Sequence, residues 1–447
     1  MILLFTPKIN NRLQYIAKTI LHTICGFDYK VTNSGEEFLN FKGARINYSD
    51  KEMPGQAMKI NPHGFLFEKG VRDFVPETGT YGEYPVLFPK SDPQASCDLG
   101  FDIFSSSFYQ LSRYEEYLPY LEDRHGRFEA DQSLAYQKGF LELPLVDIHA
   151  SILSSKLLEM FPFLEPQRRR FTFQPTYDID TAYAHKGKGL ARNTLLFARD
   201  VLTLDFSKLS QRLRVITNQE KDPFDTYDYQ LHLQKKYKLN PVYFFLCAHF
   251  GPKDRNISIH SRTFQSLVKT IGDYARAGIH PSYASNFKEH KLPEETSFLS
   301  GLLHRPIQYS RQHFLKINLP KTYQQLLKIN IRNDFSMGYA SHTGFRAGTC
   351  TPFSFYDLSL ETETRLKIYP LTLMDGTLKD YMKLKPSEAL QRAKKLADRV
   401  KQVNGTFITL WHNDTLSETN DQWKGWRNVY EEIIKYTTEL MEPKAVN

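Results

Sequence analysis

The run Phe171-Thr172-Phe173-Gln174-Pro175-Thr176-Tyr177-Asp178-Ile179-Asp180 decides how this chain is read, because it is rich in aromatic and β-branched residues and ends in two carboxylates. Side chains of a strand alternate between faces, so Asp178 and Asp180 project to one side and Ile179 to the other. Two carboxylates at one strand end repel each other, and a cation or a transferred proton between them relieves that repulsion. The plainer reading of the same residues is an Asx-turn that closes the strand.

Toward the C-terminus, strand-like runs end in polar residues again and again, at 241–246, 278–280, 309–313, 331–334, 344–346, 368–375 and 406–412. Most of the segments between them are long enough for a helix. In one, Pro386 is placed to open a helix whose Ala389, Ala393, Leu396, Ala397 and Val400 form an apolar stripe. Alternating strands and helices predict an α/β fold, a parallel (β/α) barrel that is irregular or incomplete. In such barrels the chemistry sits at the C-terminal strand ends, which here read Asp178/Asp180, His280, His313, Asp334, Arg346, Asp375 and His412. Residues 190–221 form an insertion after the first of these strands, either over that rim or in the helix layer.

The 447-residue chain is too long for one ordinary core. A smaller α+β domain over residues 1–165 is expected to precede the barrel at 166–447, its role not readable from the sequence. Its first strand begins within Met1-Ile2-Leu3-Leu4-Phe5, with further strands at 64–67 and 84–88. Asp102 is the N-cap of a helix carrying Phe104, Phe108, Leu111 and Tyr114, which Leu118-Pro119 stops. The charged stretches 112–117 and 123–128 read as solvated faces in preference to surfaces turned to a ligand or to the barrel.

Hydrophobic content of 41% with 14% aromatics argues for packed domains and against disorder. The net charge of +8 is dispersed, and its densest run, Arg168-Arg169-Arg170, reads as a solvated linker. No aromatic-interleaved basic stripe accompanies that run, so nucleic acid is not an expected partner. Cys25, Cys97, Cys247 and Cys350 lack any paired spacing, which argues for reduced thiols and against a zinc knuckle or a disulfide framework. Neither a signal-peptide core nor a membrane span is apparent, and a cytoplasmic location is the expectation.

The motifs resemble those of the NodB-homology polysaccharide deacetylases, carbohydrate esterase family 4, and more narrowly the two-domain deacetylase-like proteins of Bacteroidetes with an uncharacterised N-terminal domain. Thr176-Tyr177-Asp178-Ile179-Asp180 is similar to the family's first motif, and Gly278-Ile279-His280-Pro281-Ser282-Tyr283 to its histidine motif. Gly344-Phe345-Arg346-Ala347-Gly348 resembles the arginine motif, and 407–412 the last strand with its histidine. The resemblance implies Asp178 as general base, Asp180 and His280 as metal ligands, Arg346 as the partner that orients Asp178, and His412 as general acid. Tyr283, Asp334 and Asp375 are substrate-binding candidates.

Two departures stand out. Family members usually carry a second histidine four residues after the first, where this chain has Ala284. A catalytic zinc normally takes three protein ligands and a water. His313, at the end of the next predicted strand, is the candidate third ligand, with a substrate-binding or structural histidine as its alternative. Gly348 stands where a proline is common.

The resemblance implies a divalent metal, zinc first, with cobalt or nickel as alternatives. The expected function is a metal-dependent hydrolase that removes an acyl group, acetyl foremost, from an amino sugar or glycan. The alternatives are a catalytically silent carbohydrate-binding barrel and a hydrolase of another non-peptide C–N bond. Amide hydrolysis needs an activated water, a stabilised oxyanion and a proton for the departing amine, and these residue types can supply them.

Overall fold

The computed structural model describes residues 1–90, 97–204 and 206–441. Its N-terminal part is built on β1 (Ile2–Phe5), β2 (Tyr29–Thr32), β3 (Ala44–Asn47) and β4 (Met58–Lys59), a parallel sheet in the order β2-β1-β3-β4. All four residues of β1 are buried, as an uninterrupted apolar run in a central parallel strand requires. A separate hairpin joins β5 (Thr78–Tyr81) to β6 (Tyr84–Leu87). Residues 65–67, expected as strand, form a 3₁₀ turn because Gly64 takes a φ of 98° and turns the chain. Asp102 caps the helix Ile103–Leu111 as predicted, its Oδ1 accepting from the Ser105 N–H at 3.0 Å. That helix ends well before Leu118, since Arg113 adopts a φ of 54°.

The second sheet has nine strands: β7 (Thr172–Ile179), β8 (Val242–Phe245), β9 (Arg276–Ile279), β10 (Tyr309–Ser310), β11 (Asn333–Asp334), β12 (Phe353–Asp357), β13 (Thr362–Ile368), β14 (Leu373–Met374) and β15 (Thr406–His412). Their order is β12-β13-β11-β10-β9-β8-β7-β15-β14, and every pairing is parallel except the β12–β13 hairpin. The free edges of this order are β12 and β14. Among the described residues no ladder joins those two strands, so the expected barrel is an open, curled sheet. β13 is paired on one side with β11 and on the other with its hairpin partner β12, which leaves it no edge for β14; Pro370 divides the run 368–375 that reads as one strand. Residues 344–346 form no strand, and the β12–β13 hairpin has no counterpart among the predicted elements.

Alternation sorts the side chains of this sheet. Tyr243, Phe245, Phe407 and Trp411 join the core shared with the helices, whereas Val242, Phe244, Ile408 and Leu410 turn inward and meet Phe335 and Leu371. The Phe244 and Phe335 rings lie 5.4 Å apart although Phe335 follows a strand three places away in the sheet, so the sheet must curl around them. In the helix Pro386–Gln402 the predicted stripe of Ala389, Ala393, Leu396, Ala397 and Val400 is buried. The insertion forms two helices, Leu190–Leu202 and Phe206–Ile216, with Leu195, Leu202 and Phe206 exposed.

The two parts share a packed seam. The Tyr15 hydroxyl donates to the Ser354 carbonyl at 2.9 Å, and Tyr15 and Phe108 both pack on Tyr356, with ring centroids at 5.0 and 5.1 Å. The stretch 112–117 is not a solvated face: Arg113, Tyr114 and Glu116 are buried, and Glu116 forms an ion pair with Arg346 across the seam. All four cysteines are free thiols, and three are buried. Among the described residues no helix is long and apolar enough to cross a membrane.

Candidate active site

Asp178 and Asp180 lie at the C-terminal end of β7, and the ladder sets His412 of β15 directly beside Asp178. On its other side Asp178 is beside Phe244 of β8. His280 follows β9 and is held in line by its N–H, which donates to the Phe245 carbonyl at 2.9 Å. His313 follows β10. Parallel neighbours in register thus deliver one carboxylate pair and three imidazoles to the same rim. Asp180, His313 and His412 line a cleft of about 480 Å³ together with Phe314, Asp375 and Trp423, while Asp178 and His280 are buried behind them. None of the described insertion residues lines it.

Asp180 is the hub. Its Oδ1 lies 3.0 Å from His280 Nε2, its Oδ2 3.3 Å from His313 Nε2, and the same Oδ2 3.8 Å from His412 Nε2. The other nitrogen of each imidazole is already committed. His280 Nδ1 is 2.6 Å from the Arg311 carbonyl, which can only accept, so Nδ1 carries the proton and Nε2 presents a lone pair when the ring is neutral. His313 Nδ1 is 3.0 Å from Asp254 Oδ1, and Asp254 is fixed by the N–H groups of Tyr283 and Ala284 at 2.7 and 3.2 Å. Histidines oriented through Nδ1 by a carbonyl and a carboxylate are the usual support of metal ligands.

Asp180, His280 and His313 each offer a ligand atom within 4.8 Å of the others. Two ligands about 2.0–2.1 Å from a tetrahedral zinc stand roughly 3.4 Å apart, close to the separations from Asp180 to the two imidazoles. Asp180 Oδ1 is buried yet makes no hydrogen bond, an orphan that a cation would satisfy. These residues fit a divalent metal. The Asp180 side chain is 34% exposed and borders the cleft.

The charges agree with this geometry. Burial opposes ionisation of Asp180, but the adjacent His313 and His280 outweigh it and hold the carboxyl well below its ordinary range. Burial also disfavours charge on His313, and Asp180 and Asp254 overcome it, raising the imidazole to about 9 in the metal-free protein.

His412 is built differently. Asp375 is fully buried, and its Oδ1 lies 2.9 Å from His412 Nδ1. Its Oδ2 accepts from the His412 N–H at 2.8 Å and from the Thr415 hydroxyl at 2.6 Å. Burial works against protonation of His412, but Asp375 foremost raises it well above its ordinary value. With 21% of its side chain exposed, His412 presents Nε2 to the cleft as a proton donor.

Four expectations need correction. Arg346 does not reach Asp178; its Nε and Nη2 donate to Glu116 at 2.8 and 2.7 Å, and its Nη1 to the Gly338 carbonyl at 3.0 Å. The flanking glycines turn this segment toward the N-terminal part. Gly344 has φ 133° with Leu141 O only 2.5 Å from where a Cβ would stand, and Gly348 has φ 64° against Gln110, which no proline could adopt. Arg311 pairs with Asp178 instead. Its Nη1 lies 3.1 Å from Asp178 Oδ1 and 2.7 Å from Thr176 Oγ1, its Nε donates to the Phe335 carbonyl at 3.0 Å, and it lies over the Phe244 ring.

Tyr283 is outside the lining of the cleft, its ring packed edge-on to Phe314 at 5.4 Å. Asp334 is fully buried and saturated by the Ser310 hydroxyl at 2.8 Å and by the N–H and hydroxyl of Ser336 at 2.9 and 2.8 Å. The Asp334 side chain is not available to a substrate. Asp375 borders the cleft, but its oxygens are committed to His412, Thr415 and the Gly376 N–H, so it positions the imidazole. Asp254 and Arg311 had no assigned role from sequence; both act through long-range contacts that strand periodicity does not encode.

Residues 2–162 match a family described as "Family of unknown function (DUF7033)". No curated protein is similar to the chain. Among solved structures it is similar to a protein assigned as a polysaccharide deacetylase from Mycobacterium smegmatis, with 11% identity, 61% of this chain and 86% of that chain covered, and a TM-score of 0.40. A second such assignment, from Pseudomonas aeruginosa PAO1, shares 10% identity over 61% of this chain and 86% of that one, with a TM-score of 0.39. A carbohydrate esterase family 4 pseudoenzyme from Bacillus anthracis shares 9% identity over 62% of each chain, with a TM-score of 0.29. Likeness at these levels carries no argument about chemistry, which rests on the side chains of the cleft.

Proposed function

We propose that the chain is a metal-dependent hydrolase that removes an acyl group, acetyl foremost, from an amino sugar or glycan. The observation that carries this reading is the convergence of Asp180, His280 and His313 beside Asp178 and His412 at one strand-end rim. In this reading residues 1–165 form a separate domain that precedes the catalytic one.

Asp180, His280 and His313 would hold the metal, zinc first, which when bound would supply acidity to a water and polarise the acyl carbonyl. Asp178, aimed by Arg311, takes the proton of the attacking water. His412, protonated and oriented by Asp375, gives a proton to the departing amine. Asp254 fixes the tautomer and direction of His313.

The test is acetate release by purified protein from N-acetylated chito-oligosaccharides with added zinc or cobalt. We expect release that chelator abolishes, and loss of it in Asp178→Asn without loss of fold. Undiminished release by that variant would remove the assigned base. Stoichiometric zinc with no release from any acylated glycan would favour a binding protein.

A further inference from the structure

The third ligand position depends on a segment of the N-terminal part. Glu122 and Phe128 pair as an antiparallel bridge, closing a tight loop over 123–127 in which Asp123 Oδ1 accepts the N–H groups of His125 and Arg127 at 2.8 and 2.9 Å. Arg127 is clamped to Asp123 Oδ2 through Nε and Nη2 at 3.0 and 2.8 Å. Its remaining Nη1 reaches 187 positions along the chain to donate to the Phe314 carbonyl at 2.8 Å. From the other side Lys316 Nζ donates to the His125 and Gly126 carbonyls. The His125 ring stacks on Phe314 at 4.8 Å, and the Phe314 ring lies 4.4 Å from His313.

The backbone clamped this way is strained. Phe314 and Leu315 take φ values of 62° and 51°, a left-handed pair without glycine directly after His313. Such conformations persist where the surroundings over-determine them, and here both ties come from residues 123–127. The turn they enforce carries the chain away behind His313, whose Nε2 faces Asp180.

We infer that residues 122–128 are a strap by which the N-terminal part holds His313 in its ligand position, with Arg127 as the positioning residue. The inference rests on His313 being a metal ligand, the reading given above. It gives the N-terminal part a task in the site: without the strap the 313–315 turn relaxes, and the three-ligand set loses one member.

Zinc affinity of the full-length protein, measured by competition with a chromophoric chelator, and the visible absorption of its cobalt form test this. We expect Arg127→Ala to weaken zinc binding about 10–100-fold, as loss of ligand support does elsewhere, and to change the cobalt spectrum in the direction His313→Ala does. Arg12→Ala, which cuts the seam remotely at Glu361, should leave both unchanged. If Arg127→Ala does not fold, Lys316→Met cuts the other tie and should shift both readouts the same way.

Unchanged affinity in Arg127→Ala, or in Lys316→Met where that variant is needed, would overturn the strap, as would an equal loss in Arg12→Ala. Unchanged affinity in His313→Ala would instead remove the ligand assignment beneath it.

Discussion

Arg311 Nη1 sits 3.1 Å from Asp178 Oδ1, with both side chains almost wholly shielded from water. A buried carboxylate stripped of its cation keeps the cost of desolvation and loses the attraction that offsets it. We therefore expect Arg311→Met to destabilise the fold by about 3–5 kcal/mol, and the double variant Arg311→Met, Asp178→Asn to recover part of that loss. Denaturant unfolding of the four proteins in this cycle measures the coupling; strict additivity would mean that the pair does not hold Asp178. Arg346→Met should break the Glu116 pair and cost stability by the same mechanism without acting on Asp178.

The proton on His412 sets a second expectation. Asp375 outweighs burial and raises the imidazole, so the folded protein holds this proton more tightly than the unfolded chain does. The contribution to stability is complete below about pH 6.5 and is lost as pH rises through the raised folded value. In the proposed reaction the same shift favours the protonated form that His412 needs as general acid. In Asp375→Asn the basic limb of the kcat profile should move to lower pH, with kcat reduced by about 10²–10⁴-fold. A limb that stays in place would dissociate His412 from that limb.

In the proposed site metal and proton would compete for His313. Its imidazole is raised to about 9 by Asp180 and Asp254 against the opposing effect of burial, so at neutral pH the metal-free ring is charged. A metal ligand must be neutral, and binding should expel that proton. Calorimetry of zinc binding at pH 7 in buffers of different ionisation enthalpy should show about one proton released, with apparent affinity rising as pH approaches 9. His313→Ala should release correspondingly less.

Away from the cleft, Glu295 offers a test of burial alone. Its carboxyl is pushed up to about 7, chiefly by desolvation, while its Oε2 accepts the Ser282 N–H at 2.9 Å. Folded Glu295 binds its proton more tightly than the unfolded chain, so its contribution is complete below about pH 4.5 and declines as pH rises through 7. Glu295→Gln keeps an acceptor for Ser282 and should flatten that part of the stability profile. Thermal unfolding at intervals from pH 4.5 to 8 reads the difference.

The residues legible in the sequence are those that strand geometry dictates. Asp178, Asp180 and His412 stand at the ends of long alternating strands, where period two alone fixes their face and the parallel register fixes their neighbours. His280 and His313 follow shorter strands of the same sheet and reach the same rim. Arg311 takes the place beside Asp178 that was expected of Arg346, because a long side chain can cross to several partners, and left-handed glycines at 344 and 348 decide which way the Arg346 segment turns. Asp254 lies in a loop with no periodic pattern. Glu116 reads as a solvated helix charge until the barrel part supplies Arg346, 230 positions away. The opening between β12 and β14 follows from the β12–β13 hairpin, whose outer strand occupies the edge that β14 would need, while Pro370 divides a run whose composition otherwise suits one strand.

Anomalous scattering at the zinc edge from a zinc-soaked crystal of the full-length protein tests the central claim most directly. We expect one strong peak about 2.0–2.2 Å from Asp180, His280 Nε2 and His313 Nε2, with a fourth position open to the cleft. A zinc ion that leaves His313 turned to Asp254 alone, or no ion at Asp180, would contradict the account.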